Sequence, residues 1–180
     1  MRAVQARILG AGLPLGVTTP KELRDRIRTR LLRASNQERI RTPLQGIHRW
    51  VNEGPGDKRY ERVITGGIKD FARRPESARI KRDDGAWLHF TMTVRWDGKS
   101  ALEMLAYDFE LVFPTGHVPP FVRLDLNEPG HHNEAIGLRS HIHPGNDDLQ
   151  LPAPLMTPEE LLDLFLGDEL RPRDKDKPRT

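Results

Sequence analysis

The chain contains no cysteine among its 180 residues. Disulfide frameworks, thiolate zinc sites, iron–sulfur clusters and cysteine nucleophiles are therefore excluded. No apolar run approaches the roughly 20 residues that span a bilayer, and residues 1–17 lack the continuous apolar stretch of a secretory signal. Aromatic residues make up only 6% of the chain. These absences predict a cytoplasmic protein without a membrane partner.

Charge is abundant but unevenly distributed. Residues 1–50 hold 11 Lys or Arg against 3 Asp or Glu, whereas residues 101–150 hold 2 against 8, together with five of the seven histidines. The basic first half could bind a polyanion, while the histidine-rich second half resembles a functional site in its composition. An alternative is that the two halves attract each other within one fold.

The length suits one domain. We expect a single α+β domain over residues 1–170, followed by a disordered tail at 171–180. Within it we expect a possible flexible arm at 1–17, a basic helical part at 18–75, and a sheet plus a helix at 86–166. The predicted fold class is α+β, with a helical basic N-terminal half, an antiparallel four-stranded sheet and a C-terminal helix packed on it.

Two segments carry the same helix-start signature. Thr19 and Glu22, like Thr157 and Glu160, have the spacing of a capping box, and a proline follows each threonine at the first helical position. Apolar side chains at helical spacing then predict one helix from residue 20 to about residue 36 and another up to Gly167. Residues 58–74 also show helical spacing, but Gly66 and Gly67 predict a kink or a break there.

Strict alternation of apolar and polar residues predicts the sheet. It runs through residues 88–96 and 105–113, which a turn at Asp97-Gly98 would join into a hairpin. Shorter alternating runs at 121–126 and 136–143 predict two further strands.

The chemistry-bearing residues lie between positions 123 and 143. If the last two predicted strands pair as their alternation suggests, Arg123 and Asp125 face the same side as the later strand's arginine and histidines. The loop between them would bring further imidazoles and a carboxylate to the edge of that face. The candidate catalytic residues are His131, His132, Glu134, His141, His143, Arg123, Asp125 and Arg139.

Three interpretations of this cluster compete. Imidazoles with pKa values near 6.5 could perform acid–base chemistry on a phosphodiester, with an arginine stabilising the charge on phosphorus oxygens. The His-x-His pair with nearby carboxylates could instead bind a metal, although its spacing matches no zinc signature. The third interpretation is purely structural, with these side chains satisfied by hydrogen bonds at a sheet edge.

The first predicted helix is rich in arginine. These side chains could contact nucleic-acid phosphates, which would make binding salt-dependent, or they could simply form a solvated face. The candidate nucleic-acid-binding residues are Arg24, Arg26, Arg28, Arg30 and Arg33.

Residues 121–166 resemble the TumE-type toxins of prokaryotic toxin–antitoxin modules. The likeness lies in Arg123-Leu-Asp125, in Asn127-Glu-Pro-Gly-His-His-Asn-Glu134, in His141-Ile-His143 and in the closing amphipathic helix, and it extends at most over residues 86–166. Two insertions depart from the family pattern, Leu126 and Gly130. The resemblance implies a ribonuclease or translation-blocking toxin with an antitoxin partner.

The sequence thus favours a toxin- or defence-type protein directed at nucleic acid. Its most concrete form is a metal-independent endoribonuclease that uses histidine acid–base catalysis, without metal or cofactor. Expected partners are RNA or another nucleic acid and an antitoxin or other protein. The alternatives are a metal-dependent hydrolase at the same histidines and a non-catalytic nucleic-acid- or protein-binding module.

Overall fold

The structure is a computed structural model that describes Leu13 and residues 15–171. Most of the predicted arm, and the predicted tail beyond Arg171, lie outside the described residues. The helices are α1 (Pro20–Asn36), α2 (Leu44–Trp50), α3 (His132–Ala135) and α4 (Pro158–Leu166). The strands are β1 (Val51–Pro55), β2 (Glu61–Gly66), β3 (Ile80–Lys81), β4 (Trp87–Arg95), β5 (Glu103–Val112), β6 (Phe121–Leu126), β7 (Ser140–Pro144) and β8 (Leu151–Pro152).

All eight strands form one antiparallel sheet in the order β1-β2-β4-β5-β6-β7-β8, with β3 pairing the start of β4. The expectation of a four-stranded sheet is therefore wrong. The expectation of a helical N-terminal half is also wrong, because residues 51–66 supply two full strands. Val63, Ile64 and Thr65 are β-branched and pair with β4, so sheet packing overrides the helical spacing of this segment.

The Gly66-Gly67 pair has a different role from the predicted helix kink. A Cβ atom at Gly66 would lie 2.1 Å from the Phe90 ring of the neighbouring strand. The absence of a side chain therefore lets the ring lie directly against the β2 backbone, a usual reason for glycine inside a strand.

The two predicted capping boxes are confirmed. The Thr19 hydroxyl accepts a hydrogen bond from the Glu22 backbone N–H, and Thr157 does the same for Glu160. Both helices cover one face of the sheet, which we call the helix-covered face. There α1 buries an apolar stripe, and the Phe165 ring of α4 lies 6.5 Å from that of Phe109.

The opposite face of the sheet, here called the polar face, is overlaid by the segment 67–79. Lys69 Nζ lies 2.6 Å from Asp108 Oδ2, and the Arg73 guanidinium lies 3.5 Å from the centre of the Phe121 ring. This segment covers part of β5, where the side chain of Glu110 is only 3% exposed. Within residues 15–171 no helix is both long and apolar enough to cross a bilayer.

Candidate functional site

The register of β4 to β7 places two rows of polar side chains across the polar face. One row joins His89, Glu110, Arg123 and His143, and the next joins Thr91, Asp108, Asp125 and His141. Directly opposed residues on antiparallel strands have neighbouring side chains. We call the ionisable members of these rows the polar-face cluster: His89, Asp108, Glu110, Arg123, Asp125, His141 and His143.

Three members of this cluster converge on one point. His143 Nε2 lies 3.2 Å and His141 Nε2 lies 3.5 Å from the same oxygen, Oδ2 of Asp125. Both histidine side chains are almost inaccessible to solvent, with an exposure of 2% for each. Their approach therefore takes place in a largely dry environment, where unpaired polar atoms are costly.

The hydrogen bonds of the two imidazoles fix their tautomers. His141 Nδ1 lies 2.9 Å from the carbonyl oxygen of Leu138, and His143 Nδ1 lies 3.3 Å from that of Asn146. A carbonyl can only accept, so each Nδ1 carries the proton and each neutral ring turns the lone pair of Nε2 toward Asp125. Two lone pairs and a carboxylate oxygen repel one another unless a cation or a proton lies among them.

The protonation equilibria reflect this crowding. Burial, reinforced by the nearby Asp108 carboxylate, raises the pKa of Asp125 to about 7. Burial also lowers the pKa of His141, with a contribution from His143, and burial followed by the Arg123 charge lowers the pKa of His143. Near neutral pH the site therefore holds two neutral imidazoles and a partly protonated Asp125 carboxyl group.

The same donor set suits a divalent transition metal. Ligands about 2.1 Å from a zinc ion lie roughly 3.0–3.4 Å from one another, close to the two distances found here. The ligand atoms of Asp125, His141 and His143 all lie within 4.8 Å of one another. The Nδ1–carbonyl bonds are the orientation that metal-binding histidines need, and Arg123 Nε donates to Asp125 Oδ2 over 3.0 Å.

The polar-face cluster contains three buried atoms without a hydrogen-bond partner among the described residues: Asp125 Oδ1, Asp108 Oδ1 and His89 Nδ1. Buried polar atoms without a partner are uncommon and call for an ion, a water or a strained alternative. A metal ion beside Asp125 Oδ2 would satisfy that oxygen and the two imidazole nitrogens together, whereas a proton on Oδ2 could satisfy only one nitrogen.

A second network lies beside these three residues. The buried Glu110 carboxylate accepts two hydrogen bonds from Arg73, of 3.0 and 2.9 Å, and lies 3.2 Å from His89 Nε2. Burial raises the pKa of Glu110, but the bonds from His89 and Arg73 outweigh it and leave that pKa below its usual value. This ionised carboxylate anchors the segment 67–79 to the polar face.

Some predicted site residues lie outside this centre. His131 caps the short helix α3 and His132 begins it; both residues are exposed, and the centres of their rings lie 4.0 Å apart. The strand predicted for residues 136–143 was expected to begin shortly after them. Glu134 accepts from the backbone of Gly130, and Arg139 donates to the carbonyl of Asn127, so these two serve the loop before β7.

Other members of the cluster were not among the predicted site residues. His89, Asp108 and Glu110 occupy polar positions of the alternating strands, but only the register across the sheet shows that they face the later histidines. Arg73 and Asp147 come from loops and carry no sequence signal.

The arginine-rich helix lies on the other side of the sheet from the polar-face cluster. Arg24 pairs with Asp25, Arg26 donates to the carbonyl of Gly16, Arg28 to that of Val51, and Arg30 pairs with Asp163. Exposed Arg33 makes no hydrogen bond or ion pair among the described residues. A surface cavity of about 730 Å³ lies along this helix, but its charged lining mixes Arg26, Arg30 and Arg33 with acidic residues and includes no member of the cluster.

Comparison with protein-family models, curated proteins and solved structures gives no match for this chain. Its functional interpretation therefore depends on the geometry of the polar face.

Proposed function

We propose that the protein is a metal-dependent hydrolase that acts on phosphodiester bonds of nucleic acid, with Asp125, His141 and His143 as the metal ligands. The observation that carries this proposal is the convergence of two Nε2 atoms on one carboxylate oxygen, with both Nδ1 atoms within hydrogen-bond distance of carbonyls. Three protein ligands leave a coordination position for water, as in catalytic zinc sites.

The chemistry follows from such a bound ion. A metal ion held by Asp125, His141 and His143 would supply a water molecule activated near pH 7 as the nucleophile for phosphorus, and the proton released from that water would be available for the leaving oxygen of the broken P–O ester bond. Arg123 adjoins the centre, because its Nε bonds to the metal-binding carboxylate. In this proposal its guanidinium stabilises the negative charge that develops on the phosphate oxygens.

The test combines metal analysis with cleavage of labelled mixed-sequence RNA and DNA. We expect stripped protein to bind one equivalent of zinc or manganese and to cut only when loaded. His143→Ala should lose both properties, whereas His48→Ala should retain them, because His48 is an exposed histidine on α2. Loaded protein that leaves every substrate intact would overturn the proposed activity.

Metal-free RNA cleavage is the second candidate function. The specific observation in its favour is the adjacent exposed pair of His131 and His132, since acid–base catalysis requires accessible imidazoles. Cleavage that persists in excess EDTA and disappears in His131→Ala/His132→Ala would favour this candidate and overturn the metal-dependent one.

The toxin-type role stays a prediction that depends on such an activity. An enzyme that cuts cellular RNA should arrest growth when it is expressed, and His143→Ala should relieve the arrest. Normal growth with the active wild-type chain would contradict that role.

A further inference from the structure

A single carboxylate lies between two arginines at the margin of the polar-face cluster. Asp147 accepts hydrogen bonds from Arg73 Nη2 (2.7 Å) and Nη1 (3.0 Å), and its Oδ1 also accepts from Arg123 Nη1 over 2.5 Å. Two guanidinium groups thus converge on one small anion. This arrangement is the one that proteins use to bind phosphate groups.

The two arginines are held by other partners. Buried Glu110 binds Arg73 through two hydrogen bonds, and Asp125 binds Arg123 Nε. Both guanidinium groups therefore keep their positions without Asp147. This preorganisation favours binding of an anion in its place.

Asp147 itself is the accessible member of the group. Its side chain is 52% exposed, whereas those of Arg73 and Arg123 are 16% and 12% exposed. It belongs to the loop between β7 and β8, and its neighbour Asn146 accepts the bond from His143 Nδ1. Rotation of the Asp147 side chain toward water would uncover both arginines beside the candidate metal ligands.

We infer that Arg73 and Arg123 form a binding site for a phosphate group and that the Asp147 carboxylate occupies this site until the ligand displaces it. The inference deepens the proposed function, on which the identity of the ligand as a nucleic-acid phosphate rests. The anion site itself needs no metal ion. Asp147 thereby acts as a built-in competitor of the substrate at the site where Arg123 meets the metal-binding carboxylate.

Binding of inorganic phosphate to the full chain in excess EDTA tests the inference. Asp147→Asn keeps the shape of the side chain but removes its charge, so it should bind phosphate about tenfold more tightly than the wild type, since charge-assisted hydrogen bonds are roughly twice as strong as neutral ones. Asp148→Asn is the matched control. It removes the same charge from the neighbouring position, whose side chain makes no ion pair among the described residues, and should leave the affinity within about twofold of the wild type.

Two results would overturn the inference. Equal gains in Asp147→Asn and Asp148→Asn would indicate a general charge effect, and no gain in Asp147→Asn would show that its carboxylate does not compete. A further Arg123→Gln substitution in Asp147→Asn should abolish the gain. Because phosphate binding is measured without metal or turnover, failure of the anion site and failure of the proposed hydrolase are separate outcomes.

Discussion

Replacing Glu110 by glutamine tests whether the buried ionic network holds the polar face together. The side chain of Glu110 is 3% exposed, and its carboxylate binds Arg73 and His89. Removing one partner of a buried ion pair costs about 3–5 kcal/mol. Arg73 keeps Asp147 as a partner and glutamine still accepts one hydrogen bond, so we expect a loss near the lower end, about 3 kcal/mol. For a chain of this size that lowers the Tm by about 6–12 °C.

Urea denaturation at pH 7, with Glu103→Gln as the control, measures this loss. Glu103 lies on the same strand, but both side chains of its ion pair with Arg95 are exposed. Loss of this ion pair should therefore cost at most about 1 kcal/mol. Indistinguishable midpoints for the two variants would refute the reasoning.

The difference in stability between the wild type and Glu110→Gln should depend on pH. The pKa of Glu110 is lowered from its ordinary value of 4.5 by His89 and Arg73, so its contribution is fully present above that value. The contribution is lost as the pH falls through the lowered pKa. The stability difference between wild type and Glu110→Gln should therefore shrink in acid, and a constant difference down to pH 2 would contradict the ionised assignment.

The remaining predictions concern the helices and the strand glycine. Gly66→Ala should destabilise the protein by about 1–3 kcal/mol in urea denaturation, because its Cβ would collide with Phe90, whereas Gly54→Ala has open space and should cost under about 1 kcal/mol. Equal costs would contradict the close approach. Arg28→Ala should lower the free energy of unfolding by about 1–2 kcal/mol, because it removes the hydrogen bonds to the carbonyl of Val51. Replacement of the exposed Arg33 by alanine should lower it by about 0.5 kcal/mol. Similar losses in the two arginine variants would contradict the structural role of Arg28. Thr157→Ala removes the N-cap of α4 and should lower stability by about 1 kcal/mol by the same assay, and an unchanged midpoint would show that the cap contributes little.

Helix ends and strand faces could be read from local sequence because their determinants lie within a few residues. The capping boxes at Thr19 and Thr157 place the starts of α1 and α4, and the alternation through residues 88–96 identifies the buried face of β4. These signals depend on backbone geometry that neighbouring residues set by themselves.

The failure at residues 51–66 has a tertiary cause. Residues 58–66 belong to the segment with apolar residues at helical spacing, and the β-branched residues among them form strand β2 by pairing with β4. Gly66 looks like a helix breaker until the Phe90 ring is seen against it. Long-range pairing thus reversed the local preference.

The sequence alone grouped two histidines, an arginine and an aspartate on one face, because side chains two residues apart along a strand point to the same side of a sheet. The three-dimensional structure adds that both histidines turn the same nitrogen to one carboxylate oxygen, and that Arg73 and Asp147 join them from distant loops. This division arises because the alternation of side chains along a strand is local. Register across the sheet, loop placement and imidazole tautomers depend on hydrogen bonds between residues far apart in the chain.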